Sequence, residues 1–358
     1  MCDNGLLRVG MNADGSIRSV IDLARGRELV PSGSLMGVYE LLKDEPSVYD
    51  AWEIERDALL MHDTIEGGRV IAVDCDGDRA AVTVRNEFGS STIETTMTLR
   101  RGARAIDFHC SIDWRERERF LKVDLPVSLV ALDAQYDAQY GLVQRPIAKS
   151  TASEEAKFES CTNRFVRIAE PDYSVAVVNG NIYGSDVQPI AGDAGHGRDA
   201  GTMIRLSLLS APVYPDPHTD LGRHEFDWSV VADATIDRTL DAAAVVNTPV
   251  LSDVPMIAPL VSLETKSGTA VIDWVKLADD GSGDVIVRLY EAAGGHAEAV
   301  LHVAAALSGA TVRETDVLEH NEPVDDLPVC LPDRGAHSAE GVSVQLKPFE
   351  FATLRISR

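Results

Sequence analysis

The chain reads as an all-β protein, and three features carry that reading. Apolar and polar residues alternate with a period of two over long stretches, turn-forming dipeptides interrupt them at short intervals, and helical periodicity is scarce. The alternation is clearest in two neighbouring segments. Ile93, Thr95, Met97 and Leu99 fall on one side of a strand, with Thr92, Glu94, Thr96 and Thr98 on the other. After Arg101-Gly102, Ile106, Phe108, Cys110, Ile112 and Trp114 alternate with Asp107, His109, Ser111 and Asp113. Successive side chains of a strand point to opposite faces, so this pattern predicts a sheet with one buried face. His109 falls on the polar face, a solvated position.

Residues 6–132 read almost throughout as short strands, punctuated by Asp14-Gly15, Arg25-Gly26 and Asp76-Gly77-Asp78. Two segments break the alternation. Residues 39–55 (YELLKDEPSVYDAWEIE) carry a proline, three aromatics and six acids; residues 135–158 mix tyrosines, glutamines and an arginine ahead of a Ser/Thr-containing loop. Residues 171–209 return to strands, with 192–201 as a glycine-rich loop. Residues 206–230 then have strand-like flanks around a loop holding Pro212, Pro215 and Pro217. Proline fixes its own φ and donates no ladder hydrogen bond, so this loop is irregular but stiff, a good platform for a site.

A single helix is predicted over 233–246, with Asp233 as its cap and Ile236, Leu240 and Ala243/Ala244 as its apolar stripe. Pro249, Pro255 and Pro259 mark a boundary. Beyond it, strands are predicted at 270–277, 284–290, 299–303, 311–318, 342–346 and 351–356, with a turn at Gly281-Ser282-Gly283 and an exposed loop over 325–341. The organisation expected is a large antiparallel β-sandwich over 1–248 and a smaller β-sandwich over 256–358.

Composition narrows the function classes. The chain is 45% hydrophobic and 25% charged, as a globular protein is, and no apolar run approaches the ~20 residues of a membrane helix. A formal net charge of −24 repels phosphates, which argues against nucleic acid and anionic membranes and is neutral about sugars. Cys2, Cys75, Cys110, Cys161 and Cys330 are scattered without zinc-ligand spacing. With a start that shows neither a basic nor an apolar leader region, they suggest free thiols in a reducing cytoplasm.

Nucleophile elbows, phosphate loops and zinc-protease motifs are absent from the sequence. His218, Asp220 and His224 have metal-ligand chemistry in one loop, as does Met61-His62-Asp63 in miniature, but solvation and turn hydrogen bonds explain both, and no metal is assigned to the chain. Paired carboxylates are the other chemistry to weigh, because glycosidases flank the scissile bond with two. Asp44, Asp50, Glu53 and Glu225 stand out by lying among aromatics and arginine. Aromatic faces beside carboxylates and amides suit both sugar rings and domain contacts. Tyr39, Trp52, Arg145, Tyr214, Asp216, Arg223 and His224 complete this candidate substrate-binding or interface set, with no catalytic residue assigned.

Several long blocks then carry a resemblance. GLLRVGMNADGSIRSVIDLARGREL, YELLKDEPSVYDAWEIE, IDWRERERFLKVDLPV, PDYSVAVVNGNIYGSDV, LSLLSAPVYPDPHTDLGRHEF, VIVRLYEAAGG and LKPFEFATLRI follow one another. Together they resemble the carboxy-terminal β region of bacterial α-mannosidases, glycoside hydrolase family 38, over essentially the whole chain. The chain departs from that family at Tyr49 and Glu53, where Trp and Asp are frequent. The resemblance implies a galactose-mutarotase-like supersandwich followed by a smaller sandwich. It also implies a parent enzyme that is a retaining, zinc-dependent α-mannosidase. In that family an amino-terminal β/α barrel supplies the aspartate nucleophile and the zinc ligands, including an H-x-D motif; His218-Thr219-Asp220 has that form but lies in a sandwich segment.

The expectation is therefore a β region with no cofactor of its own, silent alone, that packs on a catalytic barrel and lends loops 39–55, 140–145 and 214–225 to the rim of a site for α-mannosides or manno-oligosaccharides. Arg145 or Arg223 would grip a carboxylate or hydroxyl pair, and Trp52 or Tyr214 would stack on a sugar face. Two other readings compete: a free-standing carbohydrate-binding module or partner subunit of a separate barrel, and a mutarotase-like epimerase, which needs a His and a carboxylate facing one ring. A homo-oligomer is compatible with each.

Overall fold

The computed structural model describes residues 1–193, 195, 199–248, 258–307, 309–320 and 341–357. It divides into two compact units: Met1–Asp137 with Gln144–Pro249, and Ala138–Val143 with Val250–Arg358. The loop expected over 325–341 lies outside the described residues except for Gly341, as do Pro249 and Pro255 of the expected boundary.

The first unit holds three antiparallel sheets. A four-stranded sheet is built from Cys2–Asp3, Leu7–Met11, Ile17–Asp22 and Arg27–Glu28. A nine-stranded sheet centres on Ser174–Asn179, Gly222–Ala232, Ala105–Trp114 and Ser91–Arg100, with Arg69–Cys75 at one edge. The six-stranded sheet runs in the order Ser160–Cys161, Gly184–Ile190, Gly201–Ser210, Arg119–Val127, Val38–Lys43, His62–Thr64.

The alternation read from the sequence is the alternation of burial. Ile106, Phe108, Cys110, Ile112 and Trp114 are all buried, and His109 on the opposite face is exposed and pairs with Asp227 at 2.9 Å. Residues from all three sheets share one core, among them Val9 and Val20, Ile106 and Trp228, Leu121 and Leu125. The nine- and six-stranded sheets therefore face each other as a sandwich, and Tyr39 reaches across from one to the Thr95 hydroxyl of the other at 2.6 Å.

The predicted helix is present as Ile236–Asn247, with Thr239, Leu240 and Ala243 buried. Its cap is Thr235, whose hydroxyl accepts the Arg238 N–H, not Asp233. Asp233 has a φ of 48° two residues upstream and binds the Arg238 guanidinium at 3.0 Å instead. Of the two segments that broke the alternation, 39–55 runs straight into a short helix, Arg56–Leu60, and 135–158 contains another, Ala152–Glu155, closed by a Thr151–Glu154 capping box.

In the second unit, a three-stranded sheet (Val261–Ser267, Ala297–Val303, Val342–Leu346) and a four-stranded sheet (Ala270–Leu277, Val285–Glu291, Phe351–Ser357, Thr311–Thr315) share a separate core that includes Val287, Leu289, Leu301, Val344 and Leu354. The Val261–Ser267 strand is one that the sequence pattern did not reveal. Its burial falls to one side chain in seven, so its alternation is weak.

Candidate functional site

The Arg119–Val127 strand lies in the middle of the six-stranded sheet, and its two faces are both covered. Leu121, Val123, Leu125 and Val127 fill the sandwich core; Lys122 and Asp124 point the other way and are still buried. Register decides what they meet. Asp186 lies opposite Arg205, and Arg205 opposite Asp124; in the next row Ser207 lies opposite Lys122, and Lys122 opposite Glu40. Cross-strand partners on one face sit within side-chain reach, so charged residues on alternate positions assemble into a network.

Lys122 is fully buried and donates to Asp186 Oδ2 at 2.7 Å and to Glu159. The Arg205 guanidinium donates to Asp186 Oδ1 through Nε and Nη2 at 3.0 and 2.9 Å, and to Glu40 Oε2 through Nη1 at 2.9 Å. His62 Nδ1 lies 3.7 Å from Glu40 and extends the row to the edge strand. Gly184 leaves space for this arrangement, because a Cβ there would stand 3.0 Å from the Glu159 carboxylate.

The charges do not balance. Glu40, Asp44, Asp124, Glu159 and Asp186 bring five carboxyl groups to two cations, Lys122 and Arg205. Buried charge without a partner is costly, and two of the acids, Asp124 and Asp44, hold their protons more tightly than a free aspartate. Burial pushes Asp124 up to about 8, with Glu40 adding to the rise and Arg205 opposing it. Burial also raises Asp44, against a hydrogen bond that Ser210 donates to it at 2.7 Å. Asp124 Oδ1 and Asp44 Oδ1 are buried without a hydrogen-bond partner.

Two of the three expected loops, 39–55 and 214–225, meet beside this network. Asp50 Oδ2 accepts the backbone N–H groups of Val213 and Tyr214 at 2.6 and 2.9 Å. Tyr49 takes a φ of 56°, and its carbonyl accepts the N–H groups of Trp52 and Glu53 at 2.7 and 3.0 Å. This tight turn presents Tyr49 and Trp52, and the Asp50 bridge adds Tyr214; the three rings are 66%, 67% and 65% exposed. Asp216 is also exposed and fixes its own turn by accepting the His218 N–H at 2.9 Å. Asp44, Asp50, Trp52, Glu53, Tyr214 and Asp216 thus belong to the two loops joined at Asp50.

The other candidates lie elsewhere. Tyr39 is interior: its hydroxyl is held by Thr95 and Cys110, and burial raises its pKa well above that of a free phenol. It belongs to the core because it sits on the inward face of its strand, next to outward Glu40. Arg145 is stacked on the Tyr136 ring at 4.5 Å, and among the described residues it grips no carboxylate and its buried Nη1 has no partner. Arg223 and Glu225 are exposed on the Gly222–Ala232 strand, while His224 between them points to the opposite face and stacks on Phe226.

Zinc does not fit the residues of the proline loop. His224 Nε2 is engaged by the Asp220 carbonyl at 2.7 Å, and His218 Nδ1 stands 3.5 Å from Asp216. Among the described residues, no three His, Cys, Asp or Glu side chains are placed to share an ion.

Sequence reasoning missed Glu40, Lys122, Asp124, Glu159, Asp186 and Arg205. The available signal was charge at alternate positions inside otherwise apolar strands, as in FLKVDLPV and MIRLSLL. Comparisons with known proteins point the same way as the fold. Residues 2–218 match the glycosyl hydrolases family 38 C-terminal domain, and residues 269–354 match the family 38 C-terminal beta sandwich domain. An alpha-mannosidase 2C1 of Mus musculus is 29% identical over 337 residues, which cover 91% of this chain and 31% of the mouse protein. An alpha-mannosidase of Saccharomyces cerevisiae is 24% identical over 394 residues, covering 99% of this chain and 34% of the yeast protein. The crystal structure of an alpha-mannosidase from Enterococcus faecalis V583 shares the fold with a TM-score of 0.70 at 16% identity, over 99% of this chain and 41% of that one. The chain spans about a third of the length of the curated relatives it matches. With one family model covering more than half of its residues, the chain belongs to the glycosyl hydrolases of family 38, as their C-terminal domain.

Proposed function

We propose that this chain is the C-terminal β region of an α-mannosidase. In this reading it packs on an N-terminal catalytic barrel that carries the nucleophile and the zinc ligands, and it lends the Asp50-joined loops to the rim of the sugar site. The observation that carries the proposal is the trio Tyr49, Trp52 and Tyr214, exposed but held in place by backbone hydrogen bonds, Trp52 to the Tyr49 carbonyl and Tyr214 to the Asp50 carboxylate. Fixed aromatic faces beside Glu53 and Asp216 suit the C–H face and hydroxyls of a pyranose, or the surface of a barrel. Binding energy from such remote contacts positions a glycoside for chemistry done elsewhere. The free state of Cys2, Cys75, Cys110 and Cys161 supports a cytoplasmic setting.

Incubating the purified chain with an aryl α-mannoside and zinc tests the proposal. No turnover is expected; activity that tracks the chain through purification overturns it. The same three exposed rings favour a second reading, a carbohydrate-binding module. Calorimetry against mannose and manno-oligosaccharides separates the two. Saturable binding abolished by Trp52→Ala and Tyr214→Ala supports the module, and silence supports the docking role.

A further inference from the structure

The Asp50-joined loops hold more acid than they neutralise. Residues 43–57 carry six acids, Asp44, Glu45, Asp50, Glu53, Glu55 and Asp57, against two bases. Both bases are already engaged: Lys43 pairs with Glu45 at 2.6 Å and Arg56 with Glu155 at 2.9 Å. Glu53 is exposed and, among the described residues, has no ion pair and no side-chain hydrogen bond. Asp216 on the other loop is also exposed, and among the described residues its ion-pair partner is the His218 ring at 3.5 Å. Beside these carboxylates stand the exposed rings of Tyr49, Trp52 and Tyr214, with Val48 exposed next to them in the turn. Large apolar side chains gathered in one exposed place mark a contact surface.

Hydrogen-bond chemistry separates the two occupants such a surface could take, a pyranose and a protein. Sugar hydroxyls both donate and accept, so a sugar site mixes donor and acceptor side chains. Residues 43–57 and 212–221 contain no Asn or Gln. Their aliphatic hydroxyls are spent within the loops, Ser47 on Glu55 and Thr219 on the Asp216 carbonyl. Ionised carboxylates only accept, so apart from ring N–H and O–H groups these side chains ask for a donor. A guanidinium has five donors and no acceptor, stacks on aromatic faces and sheds water more readily than an ammonium. Net negative charge around the rings favours a cation over a neutral group. We propose that the Tyr49, Trp52 and Tyr214 rings, with Glu53 and Asp216, dock an arginine-bearing segment of a protein partner. The guanidinium lies on a ring and forks onto a carboxylate. This rests on the docking role proposed above and adds what the partner must present.

Nuclear magnetic resonance of the full chain labelled with 15N tests this. It follows the Trp52 indole N–H, assigned by its loss in Trp52→Phe, and the Glu53 and Tyr214 amides. The probe is N-acetylarginine amide, and N-acetylcitrulline amide is its uncharged isostere. The arginine probe should shift these resonances saturably, about tenfold more tightly than the citrulline probe, and more weakly as salt rises. Trp52→Ala with Tyr214→Ala, both at exposed positions, should abolish the shifts that remain observable. Glu53→Gln with Asp216→Asn should bring the arginine probe down to the level of the citrulline probe. Equal binding of the two probes overturns the inference, as does undiminished arginine binding in the Glu53→Gln, Asp216→Asn variant. N-acetyllysine amide binding as tightly as the arginine probe overturns the choice of guanidinium. Mannose saturating the same resonances while the arginine probe fails overturns it in favour of the carbohydrate module. Silence from every probe overturns the arginine contact alone, because the docking role stands or falls on the turnover and mannose calorimetry above.

Discussion

Arg205 in the large sandwich and Arg355 in the small one each bind two carboxylates, but in different surroundings. Arg205 joins Asp186 and Glu40, which come from strands on different sides of it in the sheet, and all three side chains are nearly buried. Arg355 joins Asp284 and Asp280 at 2.6 Å each, together with the Ser282 hydroxyl at 2.9 Å, so its partners all belong to one turn. Asp280 is half exposed to water. The first arrangement ties separate strands together with every charge nearly buried; the second orders a local turn, with Arg355 and Asp284 nearly buried and Asp280 open to water. Ion pairs in water contribute little, whereas breaking a buried pair strands an uncompensated charge.

The largest expected effect is at Lys122. Lys122→Ala leaves Glu159 without its cation and Asp186 with Arg205 alone in a largely buried row, and urea denaturation should show a loss of about 3–5 kcal/mol. A loss below about 1 kcal/mol would break the contrast between the two networks.

The pH dependence of stability sharpens it. An unfolded aspartate titrates near about 4, and the folded Asp124 is pushed up to about 8 by burial. Folding raises the affinity of this carboxyl for its proton. Stability therefore falls as pH rises through the window from about 4 to about 8, by at most about 1.4 kcal/mol per unit, and levels off above it. Asp124→Asn should flatten that slope and leave the variant the more stable at about pH 8, as measured by denaturation at about pH 5 and about pH 8. An unchanged slope would show that Asp124 does not hold the proton.

Smaller again is the effect of Asp50→Ala, which removes the acceptor for two backbone N–H groups and should cost about 1–2 kcal/mol. It should also speed hydrogen exchange at Val213 and Tyr214 without touching the core. The smallest is Asp280→Asn. The Arg355 guanidinium, first among its partners, holds the Asp280 carboxyl below the usual range, yet the group is half open to water, so the change in melting temperature should be slight and shrink in molar salt.

The all-β class was legible because most strands bury only one face, and period two survives in them; the residue blocks resembling family 38 were matched by the family itself. The charged network was not legible for the opposite reason. In the six-stranded sheet both faces are covered, so Lys122 and Asp124 read as solvent-facing positions when they are buried. Only the register that sets Asp186 beside Arg205 and Arg205 beside Asp124 reveals their partners, and a single strand carries no register. The loop candidates were easier, because prolines and clustered aromatics mark an irregular platform locally. What those residues meet, Asp50 with Val213 and Tyr214, is a contact across the sheet. The helix cap was missed by two residues because by type Asp233 is the better cap than Thr235, and backbone conformation overrode that preference.

The Asp50 bridge joins positions 163 and 164 residues apart along the chain. Closing so long a stretch is entropically slow, and nothing nearby in sequence can substitute for the missing acceptor. The local turn can present Tyr49 and Trp52 by itself, whereas Tyr214 joins them only when these distant segments meet, so a misassembled molecule would keep two rings and lose the third.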